Sequence, residues 1–275
     1  MSFRIYLPQE MVKEVIDQLS HNDDLAACSL VSRSWGYPAR KRLFHHICIY
    51  PEEVDDWLSR PHESIERMAP HIVKLELTDH STSAPRTPPF FWEGSGLLTL
   101  LISSLATSPV RWLSIRTFDV VGFNKTTLEQ CFEPIAHSLR SLVLHNLVTC
   151  PGATRYLISL FPNLEDLHTG NISSTSAQLA SRWVGCGTKH SPKLCGTLEF
   201  YSAVSKGDAE LLAGIVSLSP RFRVISPVEV TTSNWGAMRG LMEACAGTLE
   251  SVPLVSWGFY VGKRCDRCPR SVLRR

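Results

Sequence analysis

The sequence lacks several features that would each point to a definite class of protein. Its formal net charge is only +2, so no strong overall field favours nucleic-acid binding. The most apolar stretch, residues 97–106, is interrupted by polar residues and is too short to cross a bilayer. Arg4, Glu10 and Lys13 break up the apolar residues near the N-terminus, which does not fit a secretory signal. We therefore expect an intracellular protein, cytoplasmic or nuclear, that binds neither membrane nor nucleic acid.

Signatures of catalysis and of cofactor binding are missing as well. The glycine clusters at 94–96 and 185–187 are too short to be phosphate-binding loops, and the Walker A pattern occurs nowhere. The sequence has neither the nucleophile elbow of α/β-hydrolases nor the paired histidines and glutamate of zinc proteases. We accordingly predict no catalytic residue, no cofactor and no metal ligand, and expect a protein that is not an enzyme.

Cysteine is not scarce, but its pattern does not indicate disulfides. Nine cysteines is an odd number, and most stand alone in apolar surroundings, as free buried thiols of a reducing compartment do. The C-x-x-C formed by Cys265 and Cys268 supplies half of the four ligands that a structural zinc site needs. Cys186, His190 and Cys195 could complete such a site, although nothing in the sequence fixes their geometry. We interpret Cys265 and Cys268 as ordinary tail cysteines, and metal binding by them stays an open alternative.

The remaining composition is that of a globular protein. Hydrophobic residues make up 44% of the 275 residues and charged residues 20%, so the chain can bury a core. A chain of this length folds as one large domain or as two smaller ones. Basic residues cluster at 263–275, where we expect a solvated tail.

Three short helical segments are predicted in the first fifty residues. Pro8 suits a first helical turn, and the apolar residues after it recur at spacings of three and four, on one stripe of a helix. A polar break at 21–24 separates this helix from a second one over 25–31. A third segment continues through Trp35, and Pro38 within it favours a bend or a fresh start over one continuous helix. Such a small unit cannot bury all its apolar side chains by itself, so part of them should face another surface.

The same residues resemble the F-box, the helical module by which substrate receptors attach to SCF-type ubiquitin ligases. The resemblance rests on Leu7-Pro8, on the run from Cys28 to Trp35 (Cys-Ser-Leu-Val-Ser-Arg-Ser-Trp) and on the Arg-Lys-Arg-Leu-Phe that ends at Phe44, a combination typical of fungal F-box proteins. It implies apolar packing in a groove of the small SCF adaptor and, through that adaptor, attachment to a cullin scaffold. The residues that the resemblance assigns to the packing of the module and to partner binding are Leu7, Pro8, Ile16, Leu19, Leu25, Cys28, Val31 and Trp35. The sequence does not show which of them point outward.

From Ile72 onward, an apolar-x-x-apolar-x-apolar pattern recurs. Its copies begin at 72, 110, 139, 164, 195, 222 and 249, and those at 195 and 222 match less well. Most of the steps between the copies are close to the period of leucine-rich repeats. Helical patterns lie between the copies, and strands that alternate with helices across short turns indicate a parallel sheet.

The predicted fold is therefore α/β: an N-terminal three-helix F-box module followed by an irregular leucine-rich-repeat-like solenoid of parallel strands and helices. An ordinary α/β domain whose strands share a Leu-x-x-Leu spacing is the alternative. We divide the chain into an F-box helical module at 1–50, a helical linker at 51–70, a leucine-rich-repeat-like domain at 71–262 and a basic tail at 263–275. Loops are predicted at 78–93 and 173–192.

These patterns predict an adaptor: the substrate-recognition subunit of an SCF-type E3 ubiquitin ligase, which binds the SCF adaptor subunit through the F-box and an unknown target protein through the repeat region. The alternatives are a small α/β enzyme with an N-terminal helical cap and a repeat scaffold outside ubiquitin transfer. Alternation along the strands suggests the side chains that read the target. They are Lys74, Glu76, Trp112, Ser114, Arg140, Ser141, Val143, Glu165, Asp166 and His168.

Overall fold

Three consecutive helices form the N-terminal part of the protein. A computed structural model describes residues 7–50, 53–78, 96–170, 173–174, 181–201, 206–227 and 235–253. In it, α1 covers Gln9–Gln18, α2 covers Asn22–Val31 and α3 covers Arg33–Leu43. Their buried side chains meet in a small core of their own, formed by Val12, Ile16, Leu25 and Ala39. The three predicted N-terminal helices are thus confirmed.

Helix α3 continues through Pro38 from Arg33 to Leu43, so a fresh start at this proline, one of the two possibilities predicted from the sequence, is wrong. A proline has no N–H to offer the carbonyl four residues back, which here belongs to Ser34. The side-chain amide of Gln9 donates to this carbonyl at 3.0 Å and supplies the hydrogen bond that the helix cannot make. The neighbouring helix α1 therefore removes part of the reason for a break.

One parallel sheet follows the helices. Its strands are β1 (His46–Ile49), β2 (Lys74–Leu77), β3 (Trp112–Asp119), β4 (Ser141–Thr149), β5 (Asp166–Gly170), β6 (Ser173–Ser174), β7 (Thr197–Tyr201) and β8 (Val224–Pro227). Seven of them lie side by side in chain order, and the short β6 pairs with β4. Every pair is parallel. The chain therefore adds its strands one after another to the same growing edge.

Further helices lie between the strands. They are α4 (Val54–Leu58), α5 (His62–Met68), α6 (Gly96–Ser104), α7 (Lys125–Ala136), α8 (Pro151–Ser159), α9 (Lys206–Val216) and α10 (Trp235–Ala244). Two single turns of 3-10 helix occur at Ala69–His71 and Ser181–Trp183. This alternation confirms the mixed α/β class and the parallel sheet that the sequence predicted.

The register of the sheet explains the repeated apolar pattern. The second position of each copy pairs with the second position of the next, and the third with the third. The row of second positions runs through Leu75, Leu113, Leu142, Leu167, Leu198 and Ile225, all of them buried in the main core together with apolar residues of the helices. The pattern therefore marks the face of the sheet that the helices cover.

Two copies of the pattern differ from the prediction. In the copy placed at 195, the first buried position is Leu194, whereas Cys195 is only half-buried. Leu194 adopts a positive φ of 37° and donates its N–H to the carbonyl of Leu164 at 2.7 Å, which turns its side chain into the core one residue early. The copy at 249 forms a single bridge between Val224 and Ser251.

The division of the chain into four parts stays a prediction. The first strand, His46–Ile49, belongs to the sheet although it lies within the range 1–50. Most of the predicted loop at 78–93 lies outside the described residues, as do 175–180 of the second loop and the basic tail with Cys265 and Cys268. In the described ranges, no helix is both long enough and apolar enough to cross a membrane.

Candidate functional site

Helix α1 presents two different apolar sides. Val12 and Ile16 point into the core of the helical module. Met11 and Val15, four residues apart, lie on the adjoining side and are largely exposed, and Leu7 continues the same spacing before the helix starts. The exposed fraction of Val15 is 44%, whereas that of its neighbour Ile16 is 1%. One side of α1 thus builds the module, and the other remains without cover in the described part of the protein.

The end of α2 adds a second group of exposed apolar side chains. Leu30 keeps 86% of its surface exposed and Val31 keeps 64%. The helix ends there because Ser32 is fully extended. Of the nine large hydrophobic residues that are exposed in the described ranges, six lie in or directly before the first three helices. Such a concentration marks an interaction surface, because scattered exposed apolar residues would be spread over the whole protein.

The structure divides the eight residues predicted for packing and partner binding into two groups. Leu7, Pro8 and Val31 are exposed. The other five point inward: Ile16 and Leu25 are buried, and Leu19, Cys28 and Trp35 are half-buried against the module's core.

The sequence analysis missed Met11, Val15 and Leu30 as exposed positions. The spacing of four from Leu7 through Met11 to Val15 could have indicated the second stripe of α1, since Val12 and Ile16 already supply one that faces the core. No comparable spacing singles out Leu30. We refer to Leu7, Met11, Val15, Leu30 and Val31 as the apolar docking residues.

The face of the sheet turned away from the helices is polar. A cavity of about 550 Å³ on it is lined by residues that include Trp112, Arg116, His145, His168 and Glu199. Arg116 Nε lies 2.9 Å from a carboxylate oxygen of Glu76, and His168 Nδ1 lies 2.9 Å from one of Glu199. Burial lowers the pKa of His145, and the charges of Arg116 and His168 lower it further.

This polar face contains most of the predicted target-reading side chains. Lys74, Trp112, Ser141 and Asp166 follow one row of the sheet. The next row contains Glu76, Ser114, Val143 and His168, of which Ser114 is fully buried, whereas Val143 is almost buried but still lines the cavity. Arg140 and Glu165, at the starts of β4 and β5, form an ion pair at 2.9 Å.

The three buried cysteines of the described residues are poor nucleophiles. Burial raises the pKa of the thiols of Cys131, Cys150 and Cys245 and keeps these thiols protonated at neutral pH. A nucleophilic cysteine, in contrast, must be a thiolate. In the same ranges, no group of three or more His, Cys, Asp or Glu side chains is arranged to hold a metal ion. The exposed apolar residues of the helical module are therefore the best defined candidate site.

Comparison with known protein families assigns this module. The model of the F-box domain family matches residues 6–37. The helical module is an F-box domain. The match includes α1, α2 and the first part of α3. Four of the five apolar docking residues lie in α1 and α2. F-box domains bind Skp1-type adaptor subunits within SCF complexes. No curated protein is similar enough to the whole chain to count as a match.

Proposed function

We propose that this protein is a substrate-recognition subunit of an SCF-type E3 ubiquitin ligase. Its F-box domain binds the Skp1-type adaptor, and through it the cullin scaffold, while the sheet region holds a target protein. The observation that carries the proposal is the F-box domain with its five exposed apolar docking residues. Because the role requires access to cellular adaptor and target, we expect the protein in the cytoplasm or nucleus.

The energetics favour the apolar docking residues as the contact with the adaptor. Burying a Val or Leu side chain that was fully exposed contributes roughly 1.5–3 kcal/mol. Leu30 and Val31 have the largest exposed fractions of the five and therefore the most to gain. Binding energy at protein interfaces is concentrated in a few such anchors, so we expect these two to dominate.

The proposed role requires no covalent chemistry from this chain. A subunit that holds a target and a ligase at the same time raises the effective concentration of one near the other. The rate of ubiquitin transfer rises because the reacting groups are kept close together and no longer need to meet by diffusion.

We further propose that the sheet region is a leucine-rich-repeat-like stack in a fungal-type F-box protein. The support is the chain-order arrangement of parallel strands and the registered rows of apolar residues. In such stacks each unit covers its neighbour, and the outer face of the strands stays available for a ligand. We therefore expect the target on the polar face, and no nucleic acid or membrane as partner.

The test is adaptor binding by the full-length protein. In one variant, Leu30→Glu is combined with Val31→Glu. The matched control combines Leu100→Glu with Val184→Glu, two apolar residues of the sheet region that are 57% and 80% exposed. Binding to an immobilised Skp1-type adaptor should weaken at least tenfold in the first variant and stay within twofold in the control. Equal binding by wild type and the first variant would reject the proposed interface.

A second experiment addresses the alternative of a repeat scaffold outside ubiquitin transfer. Affinity purification followed by mass spectrometry identifies the adaptor and the captured target together. The captured target is then incubated with reconstituted ligase and ubiquitin. Ubiquitination that depends on this protein supports the proposed role, whereas a captured target that stays unmodified supports the scaffold.

A further inference from the structure

Four cationic side chains are exposed where the F-box domain adjoins the start of the sheet. Arg40 and Lys41 belong to α3, Lys74 opens β2, and Arg111 directly precedes β3. We call these four residues the basic seam. Arg40 and Lys41 are consecutive, but Lys74 and Arg111 lie far from them in the sequence, so no single run of charges reveals the four as a group.

Main-chain and ring contacts hold the elements of the basic seam together. The N–H of Lys74 donates to the carbonyl of His45, just after α3, and the N–H of Arg111 donates to the carbonyl of Val73, both at 2.9 Å. On the other side, the ring of Tyr37 in α3 packs edge-on against His71, with 5.4 Å between the ring centres. The chain segments that carry the four cations are thus in contact with one another.

The charges of the basic seam have no acidic partner among the residues that the structure describes. None of the four takes part in an ion pair there. Two acids on neighbouring elements are engaged elsewhere, since Asp17 pairs with Arg42 at 3.6 Å and Glu76 with Arg116 at 2.9 Å, whereas Glu10 lines the same cleft as Lys41 without an ion pair to it. Lys74 lies over the ring of Trp112, with its ammonium 5.9 Å from the ring centre.

The two histidines within this region respond to the same positive field. Burial lowers the pKa of His45, and the charges of Lys74, His46 and Lys41 lower it further. The pKa of His71 is lowered by burial and then by Arg40 and Lys41. Arg40, Lys41 and Lys74 thus lie close enough to these two rings to disfavour their protonation, which agrees with a region of positive potential.

At two later strand starts of the sheet, the cation is paired with an acid. Beyond Arg111, the next strand starts carry Arg140, which pairs with Glu165 at 2.9 Å, and later Arg223, whose guanidinium lies 3.9 Å from Glu250. Lys193 and Arg221 are exposed and have no ion pair within the described residues, but they lie near β7 and β8, about 19 Å from β2, so the basic seam is a separate and short group of cations. A long polyanion such as nucleic acid needs an extended stripe that neutralises many phosphates, whereas a few carboxylates match four cations.

We propose that the basic seam binds a short segment of the target protein that is rich in Asp and Glu. The inference rests on the proposed function, because it names the kind of partner that the sheet region holds. Complementary charge steers such a segment to the seam and fixes its register. Tyr37 is exposed and Trp112 half-exposed beside the cations, and both offer apolar contact to the stems of the acidic side chains. A segment bound here lies beside the F-box domain and so close to the ligase.

The experiment uses full-length protein and fluorescein-labelled decapeptides, with binding followed by fluorescence anisotropy at low and at physiological salt. One peptide alternates Asp and Glu with Gly and Ser, a second replaces the acids by Asn and Gln, and a third carries phosphoserines instead. The seam variant combines Lys41→Glu with Lys74→Glu. The control combines Lys193→Glu with Arg221→Glu, two exposed cations near β7 and β8. The change in net charge is the same, and β7 lies about 19 Å from β2 at the usual strand spacing.

We expect the wild type and the control to bind the acidic peptide within twofold of each other, and the seam variant to bind it at least tenfold more weakly. Binding should weaken as the salt concentration rises. The neutral peptide should not bind. A companion variant, Lys41→Gln with Lys74→Gln, should show a smaller loss, and thermal unfolding checks that all variants are folded.

Several outcomes would overturn the proposal. An equal loss in the seam variant and the control would mean that net charge alone attracts the peptide. If the phosphorylated peptide binds and the acidic peptide does not, the ligand of the basic seam is a phosphate and not a carboxylate. Tighter binding of a single-stranded oligonucleotide than of the peptide would point to nucleic acid. Adaptor binding, measured on the same samples, should be unchanged in the seam variant, so failure of the proposed ligase role and failure of the seam are seen separately.

Discussion

The side-chain amide of Gln9 donates a hydrogen bond to the main-chain carbonyl of Ser34 at 3.0 Å, and it does so at the carbonyl that Pro38 leaves without its helical donor. A residue of α1 thereby completes the hydrogen bonding of α3. The contact joins the first and third helices of the F-box domain, and neither residue is one of the apolar docking residues. Its loss should affect the stability of the module more than its binding surface.

A double-mutant cycle tests the link between Gln9 and Pro38. Gln9→Ala should lower the free energy of unfolding of the F-box domain by about 0.5–1.5 kcal/mol, because Ser34 loses its donor. In a Pro38→Ala background, the new main-chain N–H of residue 38 donates to the carbonyl of Ser34. Gln9→Ala should then leave the free energy of unfolding almost unchanged. Urea unfolding followed by circular dichroism measures both. Gln18→Ala, an exposed change at the end of α1, is the control. Equal costs of Gln9→Ala in the two backgrounds would contradict the assigned role.

Substitution of the consecutive residues Val15 and Ile16 should affect different properties: adaptor binding for Val15 and folding stability for Ile16. Ile16→Ala removes atoms from a packed core and should lower the free energy of unfolding by about 2–5 kcal/mol. Val15→Ala removes atoms from an exposed side chain and should change it by less than about 0.5 kcal/mol. Adaptor affinity, measured with folded protein, should fall with Val15→Ala. Thermal unfolding and adaptor binding on the same samples give the answer, and a larger stability loss for Val15→Ala would reverse the assigned sides of α1.

Gly152 and Gly240 offer a matched pair of helical glycines. A Cβ built on Gly152 in α8 would lie 2.6 Å from the carbonyl oxygen of Trp183, whereas one built on Gly240 in α10 meets nothing within 4 Å. Gly152→Ala should therefore destabilise the protein, since main chain must move to make room. Gly240→Ala should stabilise it by about 0.4–1 kcal/mol, because alanine restricts the unfolded chain and suits a helix interior. The melting temperatures of the two variants should shift in opposite directions.

The sheet could be predicted from the sequence because its information is local and repeated. Leu75 and Leu77 occupy the same two core positions of their strand that Leu142 and Leu144 occupy of a later one. Because the pattern repeats in the same direction along the chain, it predicts a parallel register. Leu194 shows where this reasoning fails. A positive φ moved the buried position by one residue, and a spacing rule that assumes extended backbone cannot foresee that shift.

The F-box site could be predicted only in part, for two physical reasons. In a small helical module, the same types of apolar residue form the core and the partner-binding surface. Leu25, which is buried, and Leu30, which is exposed, therefore cannot be told apart in the sequence. The continuous path of α3 depends on Gln9, which lies 25 positions from Ser34. A contact between residues so far apart leaves no periodic trace.

The thiol of Cys131 provides a pH-dependent prediction. Burial raises the pKa of this thiol to about 12 from a usual value of 9.0. In the folded protein the group stays protonated and unreactive at pH 8.5, because the thiolate is the nucleophile. Iodoacetamide at that pH should label half-buried Cys28 well before Cys131, as read by peptide mass spectrometry, and Cys131 should be labelled at once in urea.

The same pKa difference fixes how stability depends on pH. A folded-state pKa above the unfolded value means that the unfolded protein releases this proton first as the pH rises. The stabilisation is fully present below about pH 9 and is lost progressively as the pH rises through about 12. Wild type should thus lose stability relative to Cys131→Ala between pH 9 and pH 11, although the variant starts lower because of the cavity it creates. Parallel pH profiles of the two proteins in urea unfolding would mean that Cys131 is solvated in the folded state, and the packing of α7 against the sheet would have to be looser than described.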